Sequence, residues 1–419
     1  MERMKMMPVH QAIEMAVASI GKIRNVVKQP LNQACGFELA EDIHVQFDLP
    51  PYTKSTVDGY AVIANGIISA SKSQPVTLTV VGESLMGKVT ETQIESGQAQ
   101  YVPTGGMVPQ GADTMVMIED TNLGKDKVEI YTNVEAGSNQ IQKGEDLKTG
   151  EIGLKAGVKI TPRHIGLLSA LGAHTVQVIE KPKVAILSTG DELISLAEKP
   201  SGGQIYDINT HSVQALCESY GLSVVHTDIV EDDFQVLCNK VKEASQKADL
   251  LLMSGGSSVG EKDMTVDSVL TLPGAEVIVH GLAFKPGKPT LIAKSDDVVV
   301  LGLPGHPVSA LMVMDTIGRR LLDEVWDTRI AKHHRVKGVL SSPVKPALGR
   351  DTCQMVQVEQ NGNGISVIPL GGKSGMISWI GHSDGYIVAE HEKGILSRGT
   401  EVCVYLWDQD TQLIGSDWL

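Results

Sequence analysis

The chain has 419 residues, 42% apolar and only 4% aromatic, with a mean hydropathy near zero. At this length that describes three or four folded domains and excludes a disordered or membrane-embedded chain. Fifty acidic against 36 basic residues give a net charge of −14, which opposes nucleic-acid binding and makes any anion site a local exception to the overall field.

The N-terminal stretch MERMKMMPVHQAIEMAVASI carries charge throughout. It reads as a helix with Ile13, Ala16, Val17 and Ile20 on one face, not as a signal peptide. No window approaches the ~20 apolar residues of a membrane span. Five scattered cysteines (Cys35, Cys217, Cys238, Cys353, Cys403) form no C-x-x-C pair, so the expectation is no zinc site, no disulfide framework and a cytoplasmic location.

From about residue 46 the texture is short β-prone runs broken by turns, such as VTLTVVGE and KVEIYTN. Two stretches here, LPPYTKSTVDGYAV and YVPTGGMVPQGADTMVMIED, read locally as strands and turns around Asp58-Gly59 and Pro103–Gly106. A helix returns at TPRHIGLLSALG, with Thr161 as cap and Pro162 as first residue.

From about 177 to 327 strands and helices alternate, which predicts a doubly wound, mostly parallel sheet. The strands are KVAILS, LSVVHTDIV, DLLLMS, AEVIVHG and DVVVLGLP. Helices fall at NTHSVQALCESYG, capped by Asn209, at DDFQVLCNKVKEASQKA, and at HPVSALMVMDTIGRRLLDEV. Beyond 328 the runs RVKGVLSSPV, CQMVQVEQ, GISVIPL, GYIVAEHE and EVCVYLW predict a small β-barrel or sandwich. The expected domains are 1–45 with 146–176 (helical connector), 46–145 (β), 177–327 (α/β) and 328–419 (β-barrel).

Ligands of a doubly wound sheet bind outside the carboxyl ends of its strands. Three strands end in loops that carry functional groups: STGDEL with Glu192, SGGSSVGEKD with Gly255, Gly256, Ser257 and Asp263, and LPGHPVSA with Pro304, Gly305, His306 and Pro307. A Gly-rich strand-to-helix turn is the ordinary connection in such folds; three on one strand edge, two with carboxylates, favour a site. Backbone amides there can hold an anion. Glu192 and Asp263 suit Mg²⁺, which takes one or two carboxylates together with phosphate oxygens and water; charge offsetting a helix dipole is the alternative. The turn FKPGKP presents Lys285 and Lys288 to one anion, or simply to solvent.

These pieces, in this order, resemble the MoeA family of molybdenum insertases, which includes the E domain of gephyrin. LPPYTKSTVDGYAV matches a typical LPPFDNSAMDGYAV, followed by PTGGMVPQGADTMVM, GEDLKTGE, STGDEL, IYDINTHSV, SGGSSVGEKD, FKPGKP, LGLPGHPVSA and SGMISW…SDGYIV. The likeness runs from about residue 8 to the C-terminus. It implies an elongated homodimer of four-domain subunits, with an α/β domain like molybdopterin adenylyltransferase and a cleft completed by the partner's β-domain. Adenylylated molybdopterin and molybdate would be the substrates and Mg²⁺ the cofactor. Molybdopterin adenylyltransferase and molybdoenzyme apoproteins would be partners. By motif match it assigns function to Asp58, Thr104, Asp146, Glu192, Asp228, Asp263, Lys285, Lys288, Pro304 and Pro307, with Asp58, Glu192 and Asp263 on Mg²⁺. Thr56, Val57 and Lys262 depart from the usual pattern.

Overall fold

A computed structural model describes residues 6–255, 264–362 and 364–407. Residues 26–179 form one compact unit, and residues 1–25 with 180–419 form the other. The first helix, α1 (Val9–Ile20), follows Pro8 and buries Ala12, Ile13 and Ala16. Its apolar face joins the core of the second unit. Helix α1 thus belongs with residues 180–419, because its stripe finds its apolar partners in the α/β core, while residues 26–45 and 146–176 lie together in the other unit.

The unit at 26–179 centres on a six-stranded sheet. Its strands are β1 (Gly59–Val62), β2 (Val76–Glu83), β3 (Gln98–Val102), β4 (Thr114–Met117), β5 (Thr121–Leu123) and β6 (Lys127–Ile130). Their spatial order is β4-β1-β3-β2-β6-β5. Tyr60, Val62, Leu78, Ala99, Val116, Val128 and Ile130 fill its core. Helix α2 (Pro162–Ala170) starts as its sequence predicts: Pro162 is its first residue, and the Thr161 N–H donates to His164 Nδ1 at 3.2 Å.

The other unit holds a second six-stranded sheet, built from β7 (Lys183–Thr189), α3 (Asn209–Ser219), β8 (Ser223–Val230), α4 (Phe234–Ser245), β9 (Leu250–Ser254), α5 (Met264–Val269), β10 (Glu276–His280), β11 (Leu291–Lys294), β12 (Val299–Leu303), α6 (Pro307–Val313) and α7 (Arg319–Trp326). Strand order is β8-β7-β9-β12-β11-β10. Strands β8, β7, β9 and β12 are parallel, while β11 runs against both neighbours. Strand β11 is hidden in the sequence behind the lysine turn that precedes it. Strands β7 and β9 are buried almost throughout, as expected when both faces are covered. Val184, Ile186, Leu250 and Leu252 meet α1, α3, α6 and α7; Ala185, Leu187, Leu251 and Met253 meet α4 and α5.

The chain then forms β13 (Arg335–Leu340), β14 (Asp351–Asn361), β15 (Gly364–Pro369), β16 (Gly385–Ala389) and β17 (Glu401–Leu406). The order β14-β15-β13-β17-β16 closes because β16 pairs with β14, so this region is a five-stranded barrel. The two-residue strand Phe284–Lys285 of the lysine turn pairs with Asp351 and Thr352 of β14. It stitches the α/β domain to the barrel.

One predicted helix is interrupted. Between α6 and α7, Met314–Gly318 form a π-helical turn that carries the buried Asp315. Its carboxylate accepts hydrogen bonds from Tyr220 at 2.7 Å and Tyr386 at 3.1 Å, and His333 Nε2 lies 2.8 Å away. Burial alone would raise this carboxyl. The His333 hydrogen bond and charge, then the Tyr220 hydroxyl, outweigh it and hold the group below its usual range. Tyr220 follows α3 and Tyr386 lies on β16, so one carboxylate joins the two domains. Removing one partner of such a buried polar network costs about 3 kcal/mol, and Asp315→Ala is expected to show a loss of that order in urea melts at neutral pH. A depressed carboxyl pKa stabilises the fold fully above the unfolded value of about 4 and loses that contribution as pH falls through the lower folded value. The difference between wild type and variant should therefore narrow only below about pH 4.

Candidate active site

Strands β7, β9 and β12 end side by side, and their loops converge on Gly255. That residue has φ +112°, and a Cβ there would overlap the Thr189 carbonyl and crowd its hydroxyl. A Cβ on Gly305 would lie 3.6 Å from the Gly255 Cα. These contacts form the floor of a cavity of about 1440 Å³. It is lined by Glu192 from the first loop, Ser254 and Gly255 from the second, and Pro304, Gly305, His306 and Pro307 from the third. Lys285 and Lys288 line it from their own turn. Of the sequence candidates, eight therefore meet in one place: Glu192, Gly255, Lys285, Lys288, Pro304, Gly305, His306 and Pro307. Gly256, Ser257, Asp263 and Lys262 lie outside the described residues.

The lysine turn is held by its backbone. Leu282 N–H donates to Lys288 O at 2.8 Å, the Thr290 hydroxyl donates to Gly287 O at 2.7 Å, and Pro286 is buried. Both lysine side chains are exposed and, among the described residues, form no ion pair. His306 is engaged: its Nδ1 lies 2.9 Å from Ser374 Oγ, and Val308 N–H donates to Ser374 O at 3.2 Å. The barrel-side loop thereby docks on the third strand-end loop.

The barrel contributes groups that the sequence reading missed. Lys345, Arg350 and Lys373 line the same cavity, so its described lining carries five basic side chains against two acidic ones, Glu192 and Asp232. No spacing in the sequence separates these three cations from solvated surface charge; only the pairing of residues 284–285 with 351–352 brings Arg350 to the lysine turn. Asp232 stands near Asp191 and Glu192, and its N–H donates to Asp191 Oδ1 at 2.9 Å. Burial first, then the charges of Asp191 and Glu192, push its carboxyl pKa up. Cys353, fully buried, is also part of the lining; burial, then the charges of Asp315 and Asp351, push its thiol well above the usual range.

Other candidates lie elsewhere. Asp228 on β8 is paired with Lys240 of α4 at 2.6 Å and is not part of this lining. In the 26–179 unit, Asp58 immediately precedes β1, and its Oδ1 accepts the Thr104 N–H at 2.8 Å; both side chains are exposed. The next residue, Gly59, opens the strand instead of turning it, and the close pass of the neighbouring strand requires glycine there, because a Cβ would overlap the Val116 carbonyl. Asp146 is exposed in a turn and donates its N–H to Leu49 O at 3.0 Å.

Three family models cover most of the chain: "MoeA N-terminal region (domain I and II)" at 7–172, "Probable molybdopterin binding domain" at 185–324, and "MoeA C-terminal region (domain IV)" at 337–407. A molybdopterin biosynthesis protein of Methanocaldococcus jannaschii is 34% identical over 88% of this chain and 88% of its own. A molybdopterin molybdenumtransferase of Haemophilus influenzae is 32% identical over 89% of this chain and 92% of its own. A crystal structure of a molybdopterin biosynthesis MoeA protein from Pyrococcus horikoshii matches with a TM-score of 0.80 at 31% identity, covering 96% of this chain and 100% of that one. A doubly wound α/β domain with flanking β-domains and a basic cavity at its strand ends is the class this architecture defines. The chain belongs to the MoeA family.

Gly255→Ala tests the floor. Left-handed strain and the clash with Thr189 together are expected to cost about 2 kcal/mol and to displace the second loop. Thermal melts should register the loss, and turnover should fall at least about tenfold, the rate equivalent of roughly 1.4 kcal/mol.

Proposed function

We propose that this chain is a molybdenum insertase. It takes adenylylated molybdopterin and molybdate, cleaves the adenylate with Mg²⁺, and leaves molybdenum on the dithiolene, releasing AMP. The observation that carries the reading is the charge layout of the cavity: five cations face two carboxylates in a chain of net charge −14. Such a site concentrates anions that the rest of the surface repels.

Among the described residues no group of three or more His, Cys, Asp or Glu side chains is placed to hold a metal ion; Glu192 and Asp232 line the cavity, so a hard divalent cation here needs carboxylates from beyond them. Glu192 and Asp263 would hold Mg²⁺, joined by Asp58 from the second copy in a homodimer. When bound, the ion supplies neutralisation of charge on the pyrophosphate. Lys285 and Lys288, with Arg350 beside them, hold a tetrahedral dianion. Gly255 and Gly305 would offer backbone amides to phosphate oxygens, as would Gly256 and Ser257 by their place in the sequence motif, and Pro304 and Pro307 fix the third loop. Asp228 serves as the partner of Lys240.

The second reading is adenylyl transfer from ATP to molybdopterin, supported by the molybdopterin binding domain at 185–324. The barrel's contribution of Lys345, Arg350 and Lys373 to the cavity favours insertion, since it adds cations to the lysine turn of the α/β domain and so strengthens the place for a second anion.

One incubation separates the two readings. Purified protein with adenylylated molybdopterin, molybdate and Mg²⁺ should release AMP and yield metal-loaded cofactor, with chelation of Mg²⁺ stopping both; pyrophosphate release from ATP with molybdopterin would instead establish the second reading. Asp263→Asn should lower AMP release at least about a hundredfold, the loss of roughly 2.7 kcal/mol of transition-state stabilisation. The double variant Lys285→Ala, Lys288→Ala should raise half-saturating molybdate by about tenfold, matching the loss of charge-assisted hydrogen bonds.

A further inference from the structure

Asn209 reads in the sequence as a helix cap, but the structure uses it otherwise. It is the first residue of α3, where Ile208 stands in the cap position. The capping role passes to Asp207, whose Oδ1 accepts the Thr210 N–H at 3.1 Å. The freed Asn209 amide spans the end of β9 and the third loop, with Nδ2 donating to Ser254 Oγ at 2.6 Å and to Gly305 O at 2.8 Å. A carbonyl can only accept, so the bond to Gly305 fixes which end of the amide is nitrogen. That leaves Asn209 Oδ1 buried, with no partner among the described residues. The Thr189 hydroxyl, against Gly255 on the same floor, is likewise buried and unpartnered among them. Asn209 is 9% exposed and Thr189 5%, and both line the cavity.

A buried polar atom left unpaired carries a desolvation penalty. Asn209 Oδ1 is acceptor-only, so it repels phosphate and molybdate oxygens and demands a donor. The surrounding cations disfavour an ammonium there. Among the parts of the substrate, what remains is the N–H or O–H of an uncharged group. We propose that Thr189 and Asn209 form an uncharged recognition subsite at the cavity floor for the neutral hydrogen-bonding edge of the substrate, a heterocycle or a sugar, while the lysine side receives its anions. The inference rests on the molybdopterin reading above, whose substrate contains such an edge in both its pterin and its adenosine.

The test is calorimetric titration of the full chain with AMP, molybdopterin and molybdate, each alone. Thr189→Val removes the hydroxyl at nearly constant shape, and Asn209→Ala removes the amide. Affinity for one organic fragment should fall at least about fivefold in both variants, the scale of one buried hydrogen bond, with the other fragment and molybdate unchanged; the affected fragment identifies the edge. Wild-type affinity for both fragments in both variants overturns the subsite. Equal weakening of both fragments also overturns it and leaves Asn209 as a tie between loops. If Asn209→Ala does not fold, Thr189→Val decides alone. A wild-type chain that binds neither fragment overturns the functional reading itself.

Discussion

Everything at the cavity depends on the backbone of Gly255 lying against Thr189. Only a residue without a Cβ can sit there at φ +112°, and only then do three strand-end loops share one floor. Asn209 ties the end of β9 to the third loop. Ser374 anchors the barrel-side loop to His306, and the pairing of residues 284–285 with 351–352 brings the lysine turn to the barrel. The architecture places the groups; the close approach lets them act on one ligand.

Charge is the second constraint. The α/β strand ends supply carboxylates, and the barrel supplies most of the opposing cations, so neither domain alone carries the full layout. In physiological salt a field decays over about 8 Å. The positive wall therefore governs the cavity without altering how the remaining acidic surface meets other macromolecules.

Much of the fold was legible because its signals are local. The buried runs of β7 and β9, the α1 stripe of Ile13, Ala16, Val17 and Ile20 (of which Ile13 and Ala16 are buried and the other two partly so), and the Thr161-Pro162 start of α2 follow from propensity and periodicity. The misses were non-local. Strand β11 follows a lysine turn that dominates its stretch of sequence. Asn209 satisfies every local rule for a cap, yet spends its amide on residues 45 and 96 positions away. The π-helical turn at Met314–Gly318 is invisible to a 3.6-residue period, and its function is fixed by Tyr220, His333 and Tyr386. Glu192 and the lysine turn stood out because chemistry and strand-end position coincide in the sequence. Asp232, Lys345, Arg350 and Lys373 did not, because only tertiary pairing distinguishes them from solvated surface.

Cys353 adds a chemical consequence. Thiolate, not thiol, is the nucleophile and metal ligand, and burial first, then the charges of Asp315 and Asp351, push the Cys353 thiol well above its usual range. The Asp315 carboxylate that fastens the two domains together therefore also bears on the cavity wall, where it adds to the pressure against a thiolate at Cys353.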